Sequence, residues 1–277
     1  MTPVRRARNL LAPLAVLGLG SHALAAGDRC VVVEGRSICV SGPPTRNLPL
    51  VIYLHGYGGS GNDDALGLGR LAAHGTFLYA APDALSDPAG RAEWRSEDVG
   101  FVSKLIDRVV AKTHADTTRV YLTGFSLDGF LALDFACAHP EMIAAAVSVS
   151  GTRFLPTTRC AAGSVSTLHV HGEQDTTVEL AGGVGRRTGA RYLSARAAAT
   201  LAASAAGCAR AMAAAGVLDS GARVERASDC RGGAKVELWM LPGMGHAPPD
   251  DASFTAAIWG FLEDAGRAAR SATAPPR

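Results

Sequence analysis

Aromatic residues are scarce in this 277-residue chain, at 6%, and charge is nearly balanced, with 27 basic and 25 acidic residues for a net +2. Without an excess of positive charge the chain lacks the electrostatic footprint of a dedicated nucleic-acid binder, and no nucleic-acid partner is expected. No Cys-x-x-Cys pair occurs, which removes the usual thiolate spacings for zinc or dithiol redox chemistry. No Gly-x-x-x-x-Gly-Lys-Ser/Thr run occurs, which removes the nucleotide phosphate loop. No internal repeat is visible. The one stretch that concerns a membrane, residues 10–19, is broken by Pro13 and Gly18 and is too short to span, so no stable membrane anchor is expected. What is abundant is apolar residues, 48% of the chain, which excludes disorder. A chain of this length buries about 70–75% of its unfolded surface as one large domain and needs no staple to fold.

The N-terminus has the form of an export address. Arg5, Arg6 and Arg8 precede the apolar run, and Ala23 and Ala25 supply small residues for a signal peptidase, so residues 1–25 are expected to be a signal peptide cleaved after Ala25. Val4 before the Arg5-Arg6 pair favours the general route over twin-arginine export. Gly27-Asp28-Arg29 before Cys30 is not a lipobox. The expected destination is the periplasm or the exterior, and the sequence does not choose between them. Three of the 27 basic residues and none of the 25 acidic ones fall in residues 1–25, so the remainder carries 24 against 25, a net −1. All six cysteines lie beyond residue 25. In an oxidising compartment an even number predicts disulfides, and proximity favours Cys30–Cys39, Cys137–Cys160 and Cys208–Cys230, one of about 15 connectivities. Six buried free thiols are the alternative.

Hydrophobic periodicity then alternates between strand and helix. A hairpin is predicted over 31–40, a buried strand over 50–54, another over 76–80, and a helix over 99–110, whose apolar residues share one face. Strands follow at 120–122, 144–149, 167–170 and 235–240, with helices at 129–138, 190–206 and 252–262. Such alternation predicts an α/β protein with a mostly parallel central sheet and helices on both faces. The single domain is placed at 26–265. Residues 266–277, polar and Pro-containing, are expected to be a disordered tail. The Ala/Gly-rich stretch 181–233 is the least informative and is expected to supply a lid or pocket wall.

Four short motifs carry chemistry. Gly124-Phe125-Ser126-Leu127-Asp128-Gly129 joins a strand to a helix, the setting of a nucleophile elbow in which a strained turn lifts a serine hydroxyl above the sheet. Ser126 is the candidate nucleophile, and the Leu127 N–H at the helix start is a candidate oxyanion donor. Asp128 stands where G-x-S-x-G has glycine, and a carboxylate there must either turn away from the strand or oppose anion formation at the serine. His55-Gly56-Tyr57-Gly58-Gly59 follows the first core strand as a candidate oxyanion loop, with Tyr57 giving the second N–H and Gly58 the alternative. Asp175 and His246 each follow a strand, and Ser126, Asp175, His246 is the chain order in which this architecture places nucleophile, acid and base. His169, His171 and Asp175 also have the look of a metal triad, but no second histidine cluster accompanies them. Neither a metal nor another cofactor is expected.

In these motifs the chain resembles the secreted α/β-hydrolase esterases of the polyhydroxybutyrate depolymerase and feruloyl esterase group. The resemblance covers roughly 48–262: Leu54-His55-Gly56, Pro82-Asp83 with Trp94, Asp98-Val99-Gly100-Phe101, the run 119–126, His171-Gly172 to Asp175, Cys208, Cys230, 236–238, and Gly245-His246. It implies the α/β-hydrolase fold and a secreted serine esterase with Ser126, Asp175 and His246 as its triad and residues 55–59 as its oxyanion loop. The implied partner is an ester substrate, with polyhydroxybutyrate-type polyester or its oligomers first and feruloyl or acetylxylan esters of plant polysaccharide second. A polyaspartate-type amidase or peptidase and a non-catalytic relative are further alternatives. Two departures stand out. The family has Gly-Gly at Asp128-Gly129, and it often has x-Trp-Pro after the histidine, where this chain has Ala247-Pro248-Pro249. The oligomeric state is left open.

Overall fold

The computed structural model describes residues 29–273 apart from 158 and 164. The predicted signal peptide, residues 1–25, and the last four residues lie outside the described residues. The chain begins with a hairpin, β1 (Cys30–Val33) and β2 (Arg36–Ser41). Its turn is made by Glu34 and Gly35, both at positive φ (50° and 78°), and Cys30 faces Cys39 across the ladder in a disulfide. β3 (Leu50–Leu54) is buried at every position, as a central strand covered on both faces must be. After the short α1 (Leu68–Ala72) come β4 (Leu78–Ala80), α2 (Val99–Thr113), β5 (Val120–Phe125), α3 (Leu127–Ala138), β6 (Ala145–Val149) and β7 (Ser166–Gly172).

The second half adds a small ribbon, β8 (Gly183–Val184) with β9 (Arg191–Tyr192), then α4 (Ala195–Ala205). The predicted helix over 190–206 therefore starts later. Ser194 accepts a hydrogen bond from the Ala197 N–H and caps it, while Arg191 and Tyr192 are extended. A hairpin that periodicity did not reveal follows, β10 (Arg210–Val217) and β11 (Arg223–Ser228). β12 (Val236–Leu241) and α5 (Ala252–Thr273) complete the described chain.

Apart from the β8–β9 ribbon, the strands form one sheet in the order β1-β2-β4-β3-β5-β6-β7-β12-β11-β10. The six from β4 to β12 run parallel, and the hairpins at both edges are antiparallel. Alternate residues of each strand feed two cores. Val51, Tyr53 and Val147 pack with Ile258 and Leu262 of α5, and Ile52, Leu122 and Ala146 pack with Leu105 of α2 and Phe135 of α3. The sheet is thus covered on both faces, and the fold is the α/β-hydrolase fold.

α5 corrects the expectation of a disordered tail from residue 266, because it stays helical to Thr273. Ala265 is buried and Ala269 packs on the core. Gly266 lies so close to β5 that a Cβ there would come within 2.9 Å of the Arg119 side chain. Ile258, Leu262, Ala265 and Ala269 share one helical face, so the apolar stripe of α5 continues past residue 262 in small residues.

Candidate functional site

β4 lies on one side of β3 and β5 on the other, so the strand order reverses between β3 and β5. Crevices at the carboxyl ends of strands at such a switch point are the usual ligand sites of open α/β sheets. Both the His55–Gly59 loop after β3 and Ser126 after β5 sit there.

Ser126 has φ 60° and ψ −126°, a conformation that costs a non-glycine residue about 1–3 kcal/mol. The surrounding small residues make it possible. A Cβ on Gly151 would lie 2.6 Å from the Ser126 carbonyl oxygen, and one on Gly124 would strike the Asp128 backbone. The Ser126 N–H donates to Val149 O at 2.8 Å and its carbonyl accepts from the Gly129 N–H at 3.0 Å, so the turn is hydrogen-bonded on both sides.

Two loops at the ends of β7 and β12 bring an acid and a base to the same point. The Asp175 Oδ1 accepts from the Thr177 N–H at 2.8 Å and the Val178 N–H at 3.0 Å, which fixes the carboxylate plane. Its Oδ2 lies 2.8 Å from His246 Nδ1, and His246 Nε2 lies 2.8 Å from Ser126 Oγ. Burial works against the Asp175 charge, but the bonds from His246 and the two amides outweigh it and hold the carboxyl below its ordinary pKa. An ionised Asp175 accepts only, so His246 carries its proton on Nδ1 and leaves Nε2 to accept from the serine hydroxyl. Gly172 permits the two loops to touch, since a Cβ there would meet the backbone of Met244 and Gly245. The Gln174 N–H then donates to Met244 O at 3.0 Å.

Behind Asp175 lies a buried histidine pair. His171 Nε2–H donates to Val178 O at 2.7 Å, closing the turn that holds Asp175, and its Nδ1 accepts from His169 Nε2–H at 3.1 Å. Burial pushes both imidazoles below their ordinary pKa, most strongly at His169, so both are neutral. Their nitrogens face each other in a hydrogen bond.

The His55–Gly59 loop is held from below. The Ala84 N–H donates to His55 Nε2 at 3.1 Å, so His55 must donate from Nδ1 to Gly56 O at 2.9 Å. The Gly58 N–H donates to Ala92 O and the Gly59 N–H to Gly56 O. Gly58, the alternative oxyanion donor in the sequence reading, is therefore already committed. Among the described residues neither the Tyr57 nor the Leu127 N–H donates to a backbone carbonyl. The Tyr57 ring is fixed by its hydroxyl, which donates to Asp87 Oδ2 at 2.8 Å, and by the Arg187 guanidinium, 3.9 Å from the ring centroid. Arg187 is also ion-paired with Glu93.

Asp128 turns inward, away from solvent, at 0% exposure, and neither carboxyl oxygen has a hydrogen-bond partner among the described residues. Burial, reinforced by the Asp98 carboxylate, raises its pKa well above the usual range. The group is a neutral acid and carries no charge against an oxyanion at Ser126.

A cavity of about 350 Å³ opens beside Ser126. Phe130 and Phe154 stack in its wall at 4.4 Å, with Tyr192 edge-on to Phe130, and Leu127, Val178 and Phe125 contribute further apolar surface. Arg186 and Arg187, from the turn between β8 and β9, stand in the same wall. Apart from Leu127, sequence reasoning gave none of these wall residues a role. The β8–β9 ribbon has no periodicity, Phe130 lies on α3, whose apolar residues look like ordinary core, and Phe154 lies in the loop between β6 and β7. The geometry as a whole can activate a hydroxyl, receive its proton and offer two amides to a developing oxyanion beside an apolar pocket.

Residues 95–196 match the phospholipase/carboxylesterase family. Feruloyl esterase D of Neurospora crassa is 30% identical over 129 residues, 46% of this chain and 42% of that protein. Feruloyl esterase C of Emericella nidulans is 29% identical over 166 residues, 55% of this chain and 59% of that protein. The chain thus spans about half the length of the curated relatives it matches. Among solved structures, an acetyl xylan esterase from Aspergillus awamori superposes with a TM-score of 0.60 at 16% identity, covering 82% of this chain and 94% of that one. The Bacillus cereus carboxylesterase superposes with a TM-score of 0.56 at 14% identity, covering 86% and 95%. These superpositions establish the shared fold.

Proposed function

We propose that the protein is a serine carboxylesterase that works through an acyl-enzyme. The observation that carries this reading is the unbroken chain from Ser126 Oγ through His246 to Asp175, with both hydrogen bonds at 2.8 Å. In this reading Ser126 attacks the ester carbonyl while His246 Nε2 takes its proton, and Asp175 stabilises the imidazolium. The Tyr57 and Leu127 N–H groups receive the oxyanion, and removal of one such donor costs about 3 kcal/mol. His246 returns the proton to the leaving alcohol, then activates the water that releases the acid. The matching carboxylesterase family and the names of the relatives support ester over amide chemistry.

The aromatic wall of the pocket and the feruloyl esterase relatives favour an aryl acyl group such as a hydroxycinnamate, ahead of the polyester that the motif resemblance placed first. Hydroxybutyrate oligomers are the second reading and rest on that resemblance alone. We infer export of the chain from the basic-apolar N-terminus and from the three disulfides. Initial rates on p-nitrophenyl acetate, butyrate and a hydroxycinnamate methyl ester test the activity. Ser126→Ala is expected to lower kcat/KM at least about 10³-fold, and equal turnover by the variant would refute the assignment.

A further inference from the structure

Two grooves meet at the ridge formed by Gly56, Tyr57 and Phe125, and they differ in charge. The groove away from Ser126 carries Asp63, Asp64 and Asp250 with Arg70 as its one cation, and Arg70 is paired with Asp250. The pocket that touches Ser126, Leu127 and His246 has no carboxylate in its wall and two guanidinium groups, Arg186 and Arg187. Arg187 is neutralised by Glu93 and stacked on Tyr57. Arg186 is different, since among the described residues no carboxylate pairs with it and no hydrogen bond engages it. Arg186 is exposed and unpaired beside a pocket whose wall is largely apolar, and such a guanidinium is a ready counter-ion for a carboxylate, which it can bind through two parallel N–H···O bonds.

We propose that this pocket selects esters whose acyl chain ends in a free carboxylate, with Arg186 as the specificity-determining residue. The apolar side chains hold the methylene or aryl part of the acyl group, and Arg186 at the mouth holds its distal carboxylate. The alcohol lies towards the acidic groove, which repels a second anion and offers carboxylate acceptors to hydroxyl groups. The substrate class is therefore the monoester of a dicarboxylic acid, or an ester of an acid that bears a second, free carboxyl group. This inference rests on the esterase reading of Ser126 and narrows it, setting an acyl group with a second carboxylate ahead of the hydroxycinnamate and hydroxybutyrate groups, neither of which carries one.

The test compares mono-p-nitrophenyl glutarate with p-nitrophenyl pentanoate, which differ chiefly in the terminal carboxylate. The wild-type protein is expected to prefer the glutarate by about tenfold in kcat/KM at low salt, and the preference should shrink as ionic strength rises. Arg186→Gln is expected to remove the preference, Arg186→Lys to keep part of it, and Arg186→Glu to invert it. A wild-type ratio at or below one overturns the proposal, as does a ratio that survives in Arg186→Gln. A wild type that hydrolyses both esters without discrimination, or that is inert to both yet cleaves the hydroxycinnamate methyl ester, defeats this inference alone, whereas one inert to all three defeats the esterase reading with it.

Discussion

At position 128 the site tolerates a residue that its motif excludes, and the reason is protonation. A buried ionised carboxylate without hydrogen bonds is prohibitively costly, so the side chain holds its proton instead. Between the ordinary carboxyl value near ~3.9 and its own raised value, Asp128 is protonated in the folded protein and ionised in the unfolded chain. The folded state then binds more protons, so stability falls as pH rises through that window, by up to about 1.4 kcal/mol per unit. Asp128→Asn removes this dependence. Thermal unfolding at pH 4 and pH 8 should show the Asn variant gaining on the wild type as pH rises, and a constant difference between the two would contradict the account. His171 works differently at the same scale. Its Nε2 bonds Val178 O and lies 3.7 Å from Asp175 Oδ2, so it bears on the carboxylate both directly and through the turn that holds it.

At the scale of elements, what was legible in the sequence was what repeats. β3, β5, β6, β7 and β12 declared themselves as apolar runs, and α2 by one apolar face, because buried strands and amphipathic helices have a period. The convergence of Ser126, Asp175 and His246 was legible as a pattern, because each stands in a short motif that follows a strand. The β10–β11 hairpin was not, since it forms a sheet edge where Arg210, Arg223 and Ala214 are as acceptable as β-branched residues. The β8–β9 ribbon was not, because four residues carry no period and only their tertiary setting over the pocket gives them meaning. The Cys208–Cys230 bond ties the end of α4 to the end of β11, closing a loop of 22 residues in sequence. Loss of a loop of that size costs about 3 kcal/mol in the chain-entropy account. A Cys208→Ser/Cys230→Ser double variant is expected to lower Tm by about 6–12 °C. An unchanged Tm in differential scanning calorimetry would show that the ribbon and hairpin need no clip.

For the whole molecule, topology decides where chemistry can occur. The reversal of strand order between β3 and β5 opens the crevice, and the four loops that meet there come from β3, β5, β7 and β12. Residues separated by 120 positions, Ser126 and His246, are thereby held within one hydrogen bond. The nearly balanced charge of the chain has its meaning at this scale as well. It is divided locally into a carboxylate-free pocket and an acidic groove on either side of one ridge, which a net count conceals. The most direct test of the account is covalent labelling of the intact protein by a fluorophosphonate, followed by peptide mapping. We expect stoichiometric modification at Ser126, at a rate that falls at least about 10³-fold in His246→Ala because the serine loses its base. A wild-type protein that remains unlabelled at every pH, or that is labelled at another residue, would contradict the assignment of Ser126 as nucleophile.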